Sequence, residues 1–171
     1  MMGTMNLNKN DFVFFWHEYE EYGEFSQWYK SDFTIEGVTY STCEQYMMAQ
    51  KALLFHDKEI YNKIMQSTSP KECKKLGREI KNFDDKIWKD KNEQIIYEGN
   101  YAKFSQNNDL KEKLISTGNK TLAEASPSDK IYGIGMDANN PDITNSSTWN
   151  GKNILGNVLM RIRDKLMGYG T

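Results

Sequence analysis

The segment at residues 42–52, TCEQYMMAQKA, constrains the fold of this chain more than any other part of the sequence. Thr42 and Gln45 have the spacing of a capping box, in which each side chain binds the free backbone N–H at the other position. Good helix formers then continue to about residue 55. The sequence therefore predicts a helix that begins after Thr42.

Charged and apolar side chains share one face of this predicted helix. At about 3.6 residues per turn, Glu44 and Lys51 lie on the face that also carries the apolar residues Met48 and Phe55. A surface helix normally places its charges opposite its apolar stripe, so this pattern indicates the wall of a pocket. The alternative is a partly buried helix in which Glu44 stabilises the helix start and the Lys51 amine reaches solvent.

The composition favours a single domain that is rich in aromatic side chains, some of which are expected to line a stacking site. The chain has 171 residues, and 13% of them are aromatic. It has no run of about 18 apolar residues and no leader typical of a signal peptide, so we expect a cytoplasmic protein without membrane contact. The net charge of −2 gives no general attraction to nucleic acid, although it leaves room for a local basic patch.

The two cysteines predict reduced thiols rather than a disulfide or a zinc site. Cys43 and Cys73 have no CxxC spacing and no histidine nearby in the sequence. Without a neighbouring base, Cys43 is not expected to act as a nucleophile. We expect no metal and no cofactor.

The rest of the chain predicts an α+β fold, mainly helical with a small β-sheet, in one domain at residues 11–168 after a disordered tail at residues 1–10. The predicted strands cover residues 12–16, 33–35, 38–40, 121–125 and 131–135. The predicted helices cover residues 43–55, 57–65, 70–77, 85–104, 108–118 and 154–166.

A second candidate site lies at residues 124–135, EASPSDKIYGIG. Glu124 ends a predicted strand, and a turn presents Asp129. Gly133 and Gly135 alternate along the next predicted strand, which leaves one face open to a ligand or to another backbone. The alternative is an ordinary turn that Asp129 caps.

A third candidate site is the segment at residues 149–156, WNGKNILG. Trp149 and several small residues lead into a helix N-terminus, which is a natural binding site for an anion or phosphate. The alternative is that these residues only cap the helix.

Several motifs occur in an order that identifies a family. They are FSQWY at 25–29, TCEQYMMAQKA at 42–52, LGR at 76–78, KFSQN at 103–107, and the two segments at 124–135 and 149–156. Together they resemble the NADAR (NAD and ADP-ribose associated) superfamily, which includes YbiA-like N-glycosidases, from about residue 12 to 166. Gln27 stands where Asn is usual, and Tyr132 stands where Trp is usual. Both substitutions keep the chemical type.

The resemblance implies a NADAR fold and a hydrolase that acts on N-glycosyl bonds. It implies one of two substrate classes, guanine in DNA or RNA that carries ADP-ribose, or the phosphorylated ribosylamino-pyrimidine intermediates of riboflavin biosynthesis. We favour the first because the loop at residues 137–149 is long enough to surround a bulky substrate. A non-catalytic module that binds NAD or ADP-ribose is a further alternative.

Both substrate classes join ribose C1 to an exocyclic amine, so the sugar can open to an imine that exchanges with a lysine. Carboxylates would protonate the leaving nitrogen and activate water. The resemblance thus assigns catalysis to Glu44, Lys51 and Asp129. The residues it assigns to substrate binding are Phe25, Ser26, Trp28, Arg78, Trp88, Glu124, Gly133, Gly135, Trp149, Gly151, Asn153 and Gly156. Phe25 and Trp28 are expected to stack on a base, and Arg78 and the turn at 151–156 to bind phosphate.

Overall fold

The computed structural model describes residues 8–169 and confirms a mainly helical α+β fold. The strands are β1 (Phe12–Phe15), β2 (Phe33–Ile35), β3 (Val38–Tyr40) and β4 (Thr121–Glu124). The α-helices are α1 (Cys43–Leu54), α2 (Lys58–Gln66), α3 (Pro70–Gly77), α4 (Asp85–Gln106), α5 (Asn108–Ser116) and α6 (Ile154–Leu166). No helix among the described residues is both long and apolar enough to cross a membrane.

The predicted N-terminal tail falls mostly outside the described residues, which begin at residue 8. At its end the structure has an ordered turn, a 3-10 helix at Lys9–Asp11. Asn8 caps this turn, because its side chain accepts a hydrogen bond from the N–H of Asn10 while its own N–H donates to the Asp11 carboxylate.

The chain divides into two compact units, and the first contains the residues up to Ser26 and those from Leu114 onward. In this unit β1 and β4 pair in parallel, with Phe15 opposite Glu124. Helix α6 packs against β4 with the apolar face that its sequence predicts. The buried residues on that face include Leu155, Val158, Leu159 and Ile162.

The predicted strand at residues 131–135 is wrong, because this segment is a loop bound to the turn that precedes α6. The N–H of Asn153 donates to the carbonyl of Gly133 at 3.0 Å. Gly135 has a φ of +65°, which a regular strand does not allow. The alternation of glycines therefore reflects close approach of another backbone rather than a pleated strand.

The second unit, Gln27–Lys113, is built around α1, which packs against α2, α3 and α4. Helix α1 begins as predicted, since the Thr42 hydroxyl accepts a hydrogen bond from the N–H of Gln45 at 3.0 Å. The reciprocal half of the predicted capping box is wrong. The side-chain oxygen of Gln45 instead accepts from the backbone N–H of Ser41 at 2.8 Å, and its side-chain NH₂ group donates to the backbone carbonyls of Ile64 and Ser67. Gln45 thereby ties α1 to the end of α2.

Candidate active site

Glu44 is buried in the first turn of α1, and only 7% of its surface is exposed. The indole N–H of Trp28 donates to its Oε1 atom at 3.0 Å. The backbone N–H of Glu44 donates to the carbonyl of Gln27, whose side chain accepts a 2.7 Å hydrogen bond from Asn100. This network holds the carboxylate in one position beside the Trp28 ring, which is what an acid–base group requires.

The Lys51 amine lies two turns along α1, half-buried against aromatic rings. It donates to the carbonyl of Gly77 at 3.0 Å and lies 4.6 Å from the centre of the Phe83 ring and 5.5 Å from that of Trp88. A Cβ on Gly77 would lie 2.1 Å from Sδ of Met48, so a larger residue at this position would require the flexible Met48 side chain to move.

Burial lowers the pKa of Lys51 from its usual value, and the nearby charge of Arg78 lowers it further. The charge of Glu44 raises the pKa, but this opposing effect is smaller than that of burial. At a given pH, a larger fraction of the Lys51 amine is therefore in the neutral, nucleophilic form than is the case for an exposed lysine.

We expect kcat/KM to rise with pH through an ionisation below the ordinary lysine range. Below the depressed pKa the Lys51 amine is protonated and cannot attack, and above it the neutral amine predominates. A pH–rate profile of the unmodified protein and of Lys51→Arg would check this. The same rise of kcat/KM with pH in Lys51→Arg would assign the ionisation to another group.

A groove of about 460 Å³ opens beside Trp28 in the same unit. Its lining residues are Trp28, Ser69, Lys71, Glu72, Lys74, Lys75 and Arg78. The Lys74 amine lies 5.9 Å from the centre of the Trp28 ring. Because Trp28 also binds the Glu44 carboxylate, one tryptophan links the cationic groove to the candidate acid–base group.

Cys43 precedes Glu44 in the sequence and is fully buried in the structure. Burial raises the pKa of its thiol to about 11. The thiol donates to the Asn100 side chain at 3.5 Å. Because the thiolate is the reactive form, burial disfavours nucleophilic attack by this cysteine. The described residues also contain no group of acidic, histidine or cysteine side chains that could hold a metal ion.

Asp129 belongs to the first unit and caps its own turn. Its Oδ1 atom accepts hydrogen bonds from the N–H groups of Ile131 at 3.0 Å and Tyr132 at 2.9 Å. Its backbone N–H donates to the Ser126 hydroxyl. This arrangement agrees with the alternative of a capped turn. Both hydrogen bonds use Oδ1, and neither involves Oδ2. A catalytic role for Asp129 stays a prediction.

The glycines of the second and third candidate segments lie where backbones meet. A Cβ on Gly133 would lie 2.9 Å from the carbonyl oxygen of Glu124 and 3.3 Å from its Oε2 atom. A Cβ on Gly151 would lie 2.2 Å from the carbonyl oxygen of Gly133. These contacts explain Gly133 and Gly151 without a ligand, so the structure adds no support for their predicted role in binding.

The residues at the start of α6 likewise make hydrogen bonds and close contacts within the fold. The buried Asn153 side chain accepts from the N–H of Glu124 and donates to the carbonyl of Leu122, both on β4. A Cβ on Gly156 would lie 2.1 Å from that same Leu122 oxygen. The N–H groups of Ile154 and of the residue that follows donate to carbonyls of the loop at 131–132. These first donors of the helix are therefore occupied, which argues against the predicted phosphate site.

Two aromatic residues of the predicted binding set are packing residues. Phe25 is completely buried, and its ring packs edge-on against Phe15, with 5.7 Å between the ring centres, which contradicts the expectation that it stacks on a base. The Trp149 indole donates to the carbonyl of Ile143 at 2.8 Å, and its ring packs against a core cluster. Ser26 is also buried.

Comparison with known proteins identifies the family of the chain. The NADAR domain family model matches residues 14–167. The chain belongs to the NADAR family. The resemblance that the motifs indicate is thereby confirmed.

Three relatives of this NADAR chain carry informative names. An N-glycosidase of Acanthamoeba polyphaga mimivirus is 48% identical over 146 residues, covering 82% of this chain and 86% of that protein. The N-glycosidase YbiA of Escherichia coli (strain K12) is 28% identical over 161 residues, covering 94% and 92%. Its NMR structure superposes with a TM-score of 0.77 over 94% of this chain and 88% of that one. A riboflavin biosynthesis protein of Vibrio vulnificus (strain YJ016) is 27% identical over 90% of this chain, which spans 38% of that protein.

The candidate site contains a residue that the sequence did not reveal. Phe83 covers the Lys51 amine, whereas helical spacing in the sequence places the apolar residues Met48 and Phe55 on the same face as Lys51. Phe83 follows Asn82, which has a φ of +63°, in the connection between α3 and α4. No periodic pattern marks such a position.

Proposed function

We propose that this NADAR protein is an N-glycosidase that cleaves the bond between ribose C1 and the exocyclic amine of a base, most specifically in guanine that carries ADP-ribose in nucleic acid. The observation that carries the proposal is the pairing of Glu44 and Lys51 on one helix. A buried carboxylate and an amine whose pKa is lowered by burial are the two groups that this reaction needs. The names of the relatives support the reaction class.

The chemistry follows from the glycosylamine bond. The ribose ring opens to an imine at C1, and the neutral Lys51 amine adds to that carbon. Glu44 passes a proton to the exocyclic nitrogen, which leaves as the free amine of the base. Water then adds to the lysine imine, Lys51 departs, and the sugar closes again. One water molecule is consumed, and the alternative is that water attacks C1 directly.

A substrate rich in phosphate fits the surroundings of Glu44. The groove that Trp28 shares with Glu44 is lined by four cations, Lys71, Lys74, Lys75 and Arg78. Arginine and lysine bind phosphate oxygens through charge-assisted hydrogen bonds. The Trp28 ring offers a partly exposed aromatic surface beside them, on which a base can stack.

A second candidate substrate is a ribosylamino-pyrimidine phosphate of riboflavin biosynthesis. The observation that favours it is the name of the Vibrio vulnificus relative. This substrate has the same bond between ribose C1 and an exocyclic amine, and it also carries a phosphate. The same two residues would cleave it by the same steps.

Incubation with both substrates tests the proposal. We expect release of ADP-ribose from an ADP-ribosylated guanine oligonucleotide, detected by mass spectrometry, at a higher kcat/KM than release of free base from the ribosylamino-pyrimidine phosphate. A reversed preference would select the riboflavin intermediate. Tight binding of ADP-ribose with no release from either substrate would instead select a non-catalytic binding module.

Asp129→Asn is expected to lower kcat with only a modest effect on KM, if the charge of Asp129 acts in the transition state. The asparagine side chain keeps an oxygen for the N–H groups of Ile131 and Tyr132, so the turn should survive and the melting temperature should change little. Steady-state kinetics and thermal denaturation measure the two effects. A raised KM with unchanged kcat would make Asp129 a binding residue.

A further inference from the structure

Helix α3 carries a stripe of cations on one face. Lys71, Lys74, Lys75 and Arg78 follow one another at the spacing i, i+3, i+4 and i+7, which aligns side chains along one side of a helix. All four are exposed and line the groove beside Trp28. We call these four residues the α3 stripe.

The charge of the α3 stripe is largely unneutralised. None of its four side chains forms a salt bridge within residues 8–169. One carboxylate, Glu72, lines the groove together with the four cations. A protein with a net charge of −2 therefore presents a concentrated positive surface at this groove, which attracts a polyanion even though the whole chain does not.

The length of the α3 stripe favours one of two kinds of phosphate ligand, a strand of nucleic acid, over the other, a single diphosphate. At a rise of about 1.5 Å per residue, Lys71 and Arg78 lie about 10 Å apart along α3. Each strand of a DNA duplex places a phosphate about every 3.4 Å along the axis, and a single strand is more extended, so the stripe spans no more than about three nucleotide steps. The two phosphates of one diphosphate share an oxygen atom and would occupy one end of the stripe.

Trp28 adds an aromatic surface to the cations. Its ring is partly exposed, with the Lys74 amine 5.9 Å from its centre, while its indole N–H is bound to Glu44. A cationic groove that follows the backbone beside a ring on which a base stacks is the usual way in which proteins bind single-stranded nucleic acid.

We propose that the α3 stripe and Trp28 form a docking surface for the sugar–phosphate backbone of a single-stranded nucleic acid. The strand lies along α3, and the Trp28 ring directs it toward Glu44. This inference rests on the proposed function for its biological meaning, but the binding surface itself needs no modified base. An unmodified oligonucleotide therefore tests it separately.

Fluorescence anisotropy with labelled oligothymidylate of about 16 nucleotides, a length typical of such sites, provides the test. We expect binding that weakens steeply with salt. Lys71→Ala with Lys75→Ala should weaken binding at least about tenfold and reduce the slope of log K against log salt by about 1.4, which is about 0.7 for each lost phosphate contact.

The matched control removes the same charge from α4, with Lys89→Ala and Lys91→Ala, both exposed and outside the groove. Its affinity and salt slope should equal those of the unmodified protein. Equal losses in both double variants, or no salt-dependent binding by the unmodified protein, would overturn the docking surface and leave the stripe to an acidic protein partner.

Strand length distinguishes a docking surface from a seat for one diphosphate. We expect oligothymidylate of about 4 nucleotides to bind more tightly than a dinucleotide, because only the longer strand can place phosphates along the whole stripe. Affinity that saturates at a dinucleotide would overturn the proposal in favour of a diphosphate seat. Neither result depends on turnover, so a failure of the proposed N-glycosidase reaction would not be mistaken for a failure of docking.

Discussion

Lys51→Arg is expected to lower kcat on the order of 10³-fold or more, because loss of a nucleophile costs far more than loss of a binding contact. Arginine keeps the positive charge and can still donate to the Gly77 carbonyl and lie over the Phe83 and Trp88 rings. Its guanidinium stays protonated in proteins and does not form an imine. Steady-state kinetics on the preferred substrate measure the loss.

The control for this variant is Lys58→Arg, which makes the same exchange at an exposed position at the start of α2. It should retain full activity and the same melting temperature. Substantial activity in Lys51→Arg would show that the charge of Lys51 suffices, and it would leave attack by water as the mechanism.

Glu44→Gln is expected to lower kcat by roughly 10²-fold or more, the range for removal of a general acid–base group. The glutamine side chain has nearly the same shape, and its oxygen can still accept the Trp28 indole N–H that Glu44 accepts at 3.0 Å. The melting temperature should therefore hardly change. Kinetics and thermal denaturation on the same preparation separate chemistry from folding.

Glu59→Gln serves as the control for Glu44→Gln, because Glu59 is an exposed carboxylate that pairs with Lys63 at 3.6 Å on α2. An exposed pair of this kind contributes little, so both activity and stability should be unchanged. Near-normal activity in Glu44→Gln would reduce Glu44 to a carboxylate that stabilises the start of α1.

Helix starts could be predicted because their signals are local. The helices predicted to begin near residues 43, 57, 70 and 85 do begin there, and Thr42, Asp57, Ser69 and Asp84 each accept a hydrogen bond at the N-terminus of the helix that follows. The hairpin of β2 and β3 was equally local, since Gly37 has the positive φ of +80° that its turn requires. Such features depend on neighbours within a few residues.

The segment at 131–135 could not be predicted because its glycines fit two explanations. Alternating glycines suit a strand beside a ligand, and they equally suit a loop that another backbone touches. The partner, the turn at 150–153, lies some 20 residues away in the sequence, and the contact between Gly151 and Gly133 is visible only in three dimensions. Phe25 was misjudged for a similar reason, because its partner Phe15 belongs to another element.

The face of α1 that carries Glu44 and Lys51 was predictable from helical spacing, and both residues are at least half-buried as a pocket wall requires. What surrounds them was not. The Trp28 donor, the Gly77 carbonyl and the Phe83 ring come from segments that carry no periodic signal toward α1. The catalytic roles of Glu44, Lys51 and Asp129 stay predictions until variants are measured.

Borohydride trapping during turnover tests the central claim most directly. If Lys51 forms an imine with ribose C1, reduction will leave a stable adduct of the sugar on the peptide that contains Lys51, detectable by peptide mass spectrometry. The adduct should require substrate and should be absent in Lys51→Arg. We expect inactivation in step with adduct formation. Continued turnover in borohydride with no adduct on Lys51 would contradict covalent catalysis by this lysine.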